Sequence, residues 1–290
     1  MLNKTRKVNL STKYNMNTWV IDNYSKLKPS IFLLPLFLLT AVILFLYQQD
    51  ALTADKYIQI QKSCFFFLNS TLSQFPKTVY NLTQLGDALV SLSLLSIFIV
   101  YAPKMWEALL SASLISALFS GVLKNLFAIP RPAAAFDPNS FVIIGKTLSG
   151  HNSLPSGHSI TIFTVLTVLL LAFMPKKLSF KIAWVFSILI TGLILVLTRV
   201  GVGAHHPLDV VSGSIIGCIS AFAGIFITKK IKIWNWIGHK KYYPIFIALF
   251  LICCISLINK IMNENLFIYY VSLIGLIVSL YKITHVYVKK

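Results

Sequence analysis

Acidic side chains are scarce in this chain: eight Asp and Glu among 290 residues, against 26 Lys and Arg. Charged residues of both signs reach only 12%, where a soluble domain carries about 25% to clothe a water-facing surface. A water-soluble globule is therefore excluded. Cysteine is sparse as well. Cys64, Cys218, Cys253 and Cys254 show neither zinc-ligand spacing nor a C-x-x-C pair, and read as apolar filler in or near helices. No carboxylate or Cys/His cluster has the spacing of a metal site, so neither a metal nor a cofactor is expected. Low-complexity stretches and internal repeats are lacking too, which argues for one continuous folded unit.

Apolar residues fill the space that charge leaves. They make up 57% of the chain and fall into eight runs, at 31–47, 78–102, 106–128, 156–174, 180–198, 208–228, 243–262 and 266–284. About 20 apolar residues span a bilayer core as a helix, and backbone groups in lipid must bond within their own segment. The expected fold is all-α, a polytopic transmembrane bundle. Its parts would be a cytoplasmic segment at 1–29, a core at 30–230 and an extension with two further transmembrane helices at 231–290. The first run has a long basic flank and only a loose small-residue site after it, so it reads as an uncleaved helix.

A net charge of +18 raises the question of nucleic acid. Its distribution answers it. With the N-terminus cytoplasmic and eight crossings, 18 of the 26 basic residues fall inside, from Lys4, Arg6, Lys7 and Lys13 to Lys289 and Lys290. Only Lys56, Lys62, Lys77, Lys124, Arg131, Lys146, Arg199 and Lys260 fall outside or at outer helix ends. That bias is the positive-inside pattern, and a basic inner face suits anionic lipid. No nucleic-acid partner is needed.

Two outer segments are long. In 48–77, Tyr57, Ile60, Cys64, Leu68, Leu72 and Phe75 recur at near-helical spacing, either as a helix in the membrane interface or as a loop on the bundle top. The segment 129–155 is rich in Pro, Gly and polar residues, and loops of that length usually have a function.

Three polar clusters land on this outer side. Lys124 to Arg131-Pro132 closes the third run; Leu154-Pro155-Ser156-Gly157-His158 opens the fourth. Thr198-Arg199 to His205-His206-Pro207-Leu208-Asp209 links the fifth to the sixth. Runs three to six alternate direction, so the clusters meet at one end of the bundle. Lys124, Arg131 and Arg199 are three cations beside a poorly solvating membrane, and phosphate is their natural partner. Ser156-Gly157 stands where a helix N-terminus would offer unpaired N–H groups to an anion. His205 and Asp209, at i and i+4, would share one helical face, so that the carboxylate fixes the imidazole tautomer. His158 is left to protonate a leaving alkoxide. The set suffices for phosphoryl transfer.

These residues resemble the three signature motifs of the type 2 phosphatidic acid phosphatase (PAP2) superfamily. Six residues separate the lysine from Arg-Pro, five separate Arg199 from His205, and three separate His205 from Asp209. One departure is Thr198, where the family usually has serine; the hydroxyl is kept. The resemblance covers roughly 120–210 and implies a six-helix core, with the runs after residue 243 as an addition. It implies that Lys124, Arg131, Ser156, Gly157 and Arg199 bind phosphate. It further implies that His158 is the acid, His205 the nucleophile and Asp209 its partner. His151, Lys146, Asn152 and His206 are candidates for headgroup contact. The expected activity is hydrolysis of a lipid phosphate or diphosphate at the periplasmic face of a bacterial inner membrane, through a phosphohistidine. Undecaprenyl diphosphate and lipid A lead the candidates. A phosphotransferase on the same fold is the alternative, because the motifs do not choose the acceptor; a transporter is disfavoured by the intact His158, His205 and Asp209.

Overall fold

A computed structural model describes residues 16–289. The first fifteen residues of the expected 1–29 segment, with Lys4, Arg6, Lys7 and Lys13, and also Lys290, lie outside the described residues. The described residues are helical, without a strand: α1 (Leu33–Gln48), α2 (Ala54–Leu72), α3 (Pro76–Thr83), α4 (Ala88–Leu95), α5 (Pro103–Phe127), α6 (Gly157–Ala172), α7 (Leu178–Gly201), α8 (Pro207–Lys230), α9 (Tyr243–Glu264) and α10 (Phe267–Val288), with short turns between. Among the described residues, six stretches are long and apolar enough to cross a membrane: Pro29–Gln48, Pro103–Ala135, Leu178–Gly201, Pro207–Lys230, Lys240–Glu264 and Phe267–Val288. The protein is a multi-pass membrane protein.

Two of the eight expected runs depart from a full, continuous span. Helix α6 is apolar but has only 16 residues, about 24 Å at 1.5 Å per residue, against roughly 30 Å of hydrocarbon. The run 78–102 is not one helix. It breaks after α3 into a 3-10 turn at Gln84–Gly86, restarts at Asp87, and ends in a short turn, Phe98–Tyr101. The first break is set by a tertiary contact. A Cβ on Gly86 would lie 2.6 Å from the His158 Cβ, so the backbone comes directly against that histidine. Asp87 then caps the new helix, its carboxylate accepting from the Leu89 N–H at 2.8 Å.

Helix α8 is the hub, packed along α6 and α5. Glycine permits that closeness: a Cβ on Gly213 would fall 2.6 Å from the Ser156 carbonyl, on Gly217 2.5 Å from the Ile160 carbonyl, and on Gly224 2.5 Å from the Ala112 nitrogen. Gly213 and Gly217 form the small-xxx-small spacing that lets membrane helices approach. The fold thereby fixes the starts of α6 and α8 side by side.

Helix α2 lies on the bundle with Tyr57, Gln61, Phe65 and Asn69 buried, one i, i+4 row. That row is rotated from the apolar one expected from sequence: Cys64 is exposed, and buried polar groups replace it. Asn69 explains the preference. Its amide donates to the carbonyls of Val142, Val200 and Gly201, and its oxygen accepts from the Val142 N–H. The C-terminal hairpin α9–α10 packs on α4 and contributes Phe250, Leu257 and Leu276 to the main core.

Candidate active site

The groups of interest sit where the C-terminal ends of α5 and α7 meet the N-terminal ends of α6 and α8. Backbone bonds knit the intervening loops: Arg131 N–H to the Gly150 carbonyl and Ser153 N–H to the Ile129 carbonyl, each at 3.0 Å. They bring Arg131, Asn152 and Ser153 together although 21 residues separate the first two. The Asn152 side-chain oxygen accepts from Arg131 Nε at 2.7 Å. Asn152 therefore aims the arginine from beneath. Arg131 Nη1 reaches the Ala204 carbonyl at 3.3 Å and stands 3.5 Å from His205 Nε2.

Asp209 is wholly buried, and its carboxylate is surrounded by donors. Tyr57 donates its hydroxyl to Oδ1 at 2.8 Å, while Ser153 Oγ at 2.6 Å and the His206 backbone N–H at 2.8 Å donate to Oδ2. His205 Nδ1 lies 3.5 Å from Oδ2 and 3.4 Å from Ser153 Oγ. A buried carboxylate persists only with such partners. The imidazole of His205 is held with Nδ1 toward Asp209 and Nε2 toward Arg131. Burial pushes the His205 imidazole down, to about 3, against the opposing Asp209 carboxylate, which keeps it neutral at ordinary pH. Burial and then the Asp209 charge push the Tyr57 hydroxyl well up, so it remains a donor.

His205 and Asp209 do not meet across one helical face, as their i, i+4 spacing predicts. His205 is not in the helix; α8 starts at Pro207, with His206 as its cap. The approach arises because Asp209 turns back over the helix start to its capping residue, not because i and i+4 share a helical face. His206 departs from expectation as well. It is fully buried between Phe65 and Phe136, with Nε2 3.1 Å from the Pro130 carbonyl, and so faces away from any headgroup.

At the start of α6, Ser156 caps the helix through its hydroxyl, and its own N–H is already given to the Asp209 carbonyl at 3.0 Å. The expectation that its amide is free for an anion is therefore overturned. Gly157 and His158, the first two helical residues, carry the free donors of this terminus. Lys124 stands over them: a Cβ on Gly157 would lie 3.3 Å from Lys124 Nζ and from Ser120 Oγ. Arg199 completes the ring, with Nη1 donating to Thr83 Oγ1 at 2.9 Å and Nε buried without a partner. Among the described residues none of Lys124, Arg131 and Arg199 is ion-paired with a carboxylate.

Two openings lead to His158. A cavity of about 160 Å³ is lined by His158, Arg199, Lys146, Tyr80, Thr83 and Glu264, among others. A groove of about 380 Å³ runs down α4, α5 and α6 from Gly157 and His158 past Ser120, Ser116 and Thr161. Lys146 thus lies at the mouth of the site. His151 is exposed and the structure gives it no contact with the cluster. Sequence reasoning missed Tyr57, Ser153, Thr83 and Glu264. A signal existed for Tyr57: polar Gln61 and Asn69 share its helical row, which marks that face as buried and hydrogen-bonded. Asp87, the cap of α4, ion-pairs with Lys260 at 2.9 Å.

The chain is 29% identical over 136 residues to dihydrosphingosine 1-phosphate phosphatase YSR3 of Saccharomyces cerevisiae, a match covering 45% of this chain and 32% of that protein. It is 34% identical over 109 residues to lipid A 1-phosphatase of Rhizobium johnstonii, covering 35% of this chain and 41% of that one. The chain thus spans about a third to two-fifths of the length of these relatives. Among solved structures, the crystal structure of Aquifex aeolicus LpxE is similar at 24% identity and a TM-score of 0.48, over 58% of this chain and 95% of that one. Residues 106–233 match the model of the PAP2 superfamily, and this segment holds the whole run from Lys124 to Asp209.

Proposed function

We propose that this protein is a membrane lipid phosphatase. One observation carries the reading: three cations without a carboxylate partner gather near the start of α6, with Lys124 over Gly157, Arg199 lining a cavity with His158, and Arg131 3.5 Å from His205 Nε2. The relatives' names, one a sphingoid base phosphate phosphatase and one a lipid A phosphatase, support a phosphorylated lipid as substrate. Residues 30–230 would form the catalytic unit, with 231–290 an extension.

In the proposed reaction the scissile phosphoryl group lies between Lys124, Arg131 and Arg199, with the amides of Gly157 and His158 beneath it. His205 Nε2 attacks phosphorus while the bond to the lipid oxygen breaks. His158 gives that oxygen its proton, and Asp209 balances the charge on His205. Water then attacks the phosphohistidine, losing a proton to His158 and freeing inorganic phosphate. The fixed cations and amide donors stabilise charge on the equatorial oxygens, which is where a transition state of this kind needs it. No step in this scheme calls for a divalent ion. The groove along α4, α5 and α6 gives the lipid tail a path from the bilayer.

The test is phosphate release by the purified protein from undecaprenyl diphosphate, lipid A, phosphatidylglycerophosphate and phosphatidate in detergent, with and without excess EDTA. Release from at least one, undiminished by EDTA, is expected. Activity lost to EDTA and restored only by added Mg²⁺ or Zn²⁺ would overturn the metal-independent scheme. Phosphate recovered on a second lipid rather than free would make the protein a phosphotransferase.

A further inference from the structure

The hairpin α9–α10 follows the segment that matches the superfamily, yet its tip touches the site. Its docking is specific. The Ile268 N–H donates to Asn81 Oδ1 at 3.0 Å, and Lys260 pairs with Asp87 at 2.9 Å, one residue past the Gly86 contact on His158. Lys260 also lies over the Tyr269 ring, 5.3 Å from its centroid. The result is to hold Glu264, the last residue of α9, in the wall of the cavity that His158, Arg199 and Lys146 share. Tyr269 donates its hydroxyl to Glu264 Oε2 at 2.6 Å, which fixes the carboxylate there.

The placement runs against local preference. A carboxylate at a helix C-terminus meets the negative end of the helix dipole and is disfavoured. Within the cavity, Arg199 and Lys146 offset part of that cost, but there one of only eight acidic residues in the chain competes with any second anion for the same cations. Where a local rule is broken and the residue is held in place by specific contacts, selection for function is the economical reading.

We propose that Glu264 is a specificity-determining residue that biases the site toward phosphomonoesters and against lipid diphosphates. The inference rests on the phosphatase reading and deepens it. When the scissile group occupies the ring of cations, the leaving oxygen lies at His158, which lines both the groove that takes the tail and the cavity that holds Glu264. A monoester leaves as an alcohol, neutral once His158 has protonated it. A diphosphate leaves as a phosphate, which brings a second anion up to the Glu264 carboxylate. The unfavourable interaction applies to the diphosphate alone.

The experiment compares farnesyl monophosphate with farnesyl diphosphate, which share one tail, on the full-length protein and on Glu264→Gln. Glutamine keeps the shape and can still accept from Tyr269; only the charge is lost. The ratio of kcat/KM for diphosphate over monophosphate should rise about three- to tenfold, the scale of one partly screened charge at close range. Tyr269→Phe, which keeps the charge, should leave the ratio at the parental value. A ratio unmoved by Glu264→Gln, in a parent that hydrolyses either lipid, overturns the inference and leaves the phosphatase reading standing. A shift in Tyr269→Phe as large as that in Glu264→Gln would assign the effect to packing and overturn it too. A parent that hydrolyses no phosphorylated lipid at all would overturn both.

Discussion

At the scale of single residues, two adjacent histidines have opposite surroundings. His205 turns Nε2 to the cations and Nδ1 to Asp209, whereas His206 spends its ring on Phe65, Phe136 and the Pro130 carbonyl. His205→Ala should lower kcat by about four to six orders of magnitude, the scale of deleting a covalent nucleophile. His206→Ala should instead lower thermal stability, since it opens a hole in a packed aromatic cluster, while kcat per folded molecule stays within about tenfold. Steady-state rates and melting temperatures in detergent separate the two, and an inactive but stable His206→Ala would reverse the assignment. Tyr57 is a positioning residue by the same argument, acting through Asp209. Tyr57→Phe should reduce kcat about tenfold with KM little changed, because substrate does not touch the tyrosine and one hydrogen bond to a buried charge is lost. Equal changes in kcat and KM would make its role merely structural.

At the scale of elements, the sequence conveyed the helices that stand alone and lost those shaped by contact. The cations, His158 and the His205–Asp209 pair were legible because each cluster closes or opens an apolar run, and runs alternate direction. The break in 78–102 was not, since hydropathy stays high through it and its cause is Gly86 meeting a histidine 72 residues away. The buried face of α2 was legible only in its polar row of Gln61 and Asn69, because the partners that bury it, Asp209, Leu208 and Val200, lie more than 130 residues on in the chain. The Gly213–Gly217 spacing was present to be read, and it sets the distance between α6 and α8. Gly217→Ala puts a Cβ 2.5 Å from the Ile160 carbonyl, a backbone atom with little room to yield. Overpacking of this kind costs about 1–3 kcal/mol, and here it also separates His158 from His205. Gly121→Ala meets nothing within 4 Å and serves as the control. A lower melting temperature and lower kcat are expected for Gly217→Ala alone; equal behaviour of the two variants would mean that α6 and α8 do not need their close approach.

At the scale of the whole molecule, orientation decides which pool of lipid the site can reach. The ends of α5 and α7 and the starts of α6 and α8 lie together, and the tip of α9–α10 joins them, so the site occupies one end of the bundle. The opposite end carries Lys176, Lys177, Lys232, Lys240 and Lys241 in short connections and Lys229 and Lys230 in the last turn of α8. Positive residues in short loops resist translocation, so that end is proposed as cytoplasmic and the site as exterior. The 129–155 loop offers a direct check, because Ser140 is exposed at its turn Pro138–Ser140. Its own background must first be cleared: Cys64 is exposed on α2 at the same end, and Cys218, Cys253 and Cys254 are free thiols. In a variant lacking all four, Ser140→Cys should react with a membrane-impermeant maleimide in intact cells. Lys232→Cys, exposed at the opposite end, should react only after permeabilisation. The paired design matters, since a leaky cell would label both and a buried thiol neither. The reverse pattern, with Lys232→Cys labelled from outside and Ser140→Cys protected, would turn the bundle over and give the site to lipids of the inner leaflet.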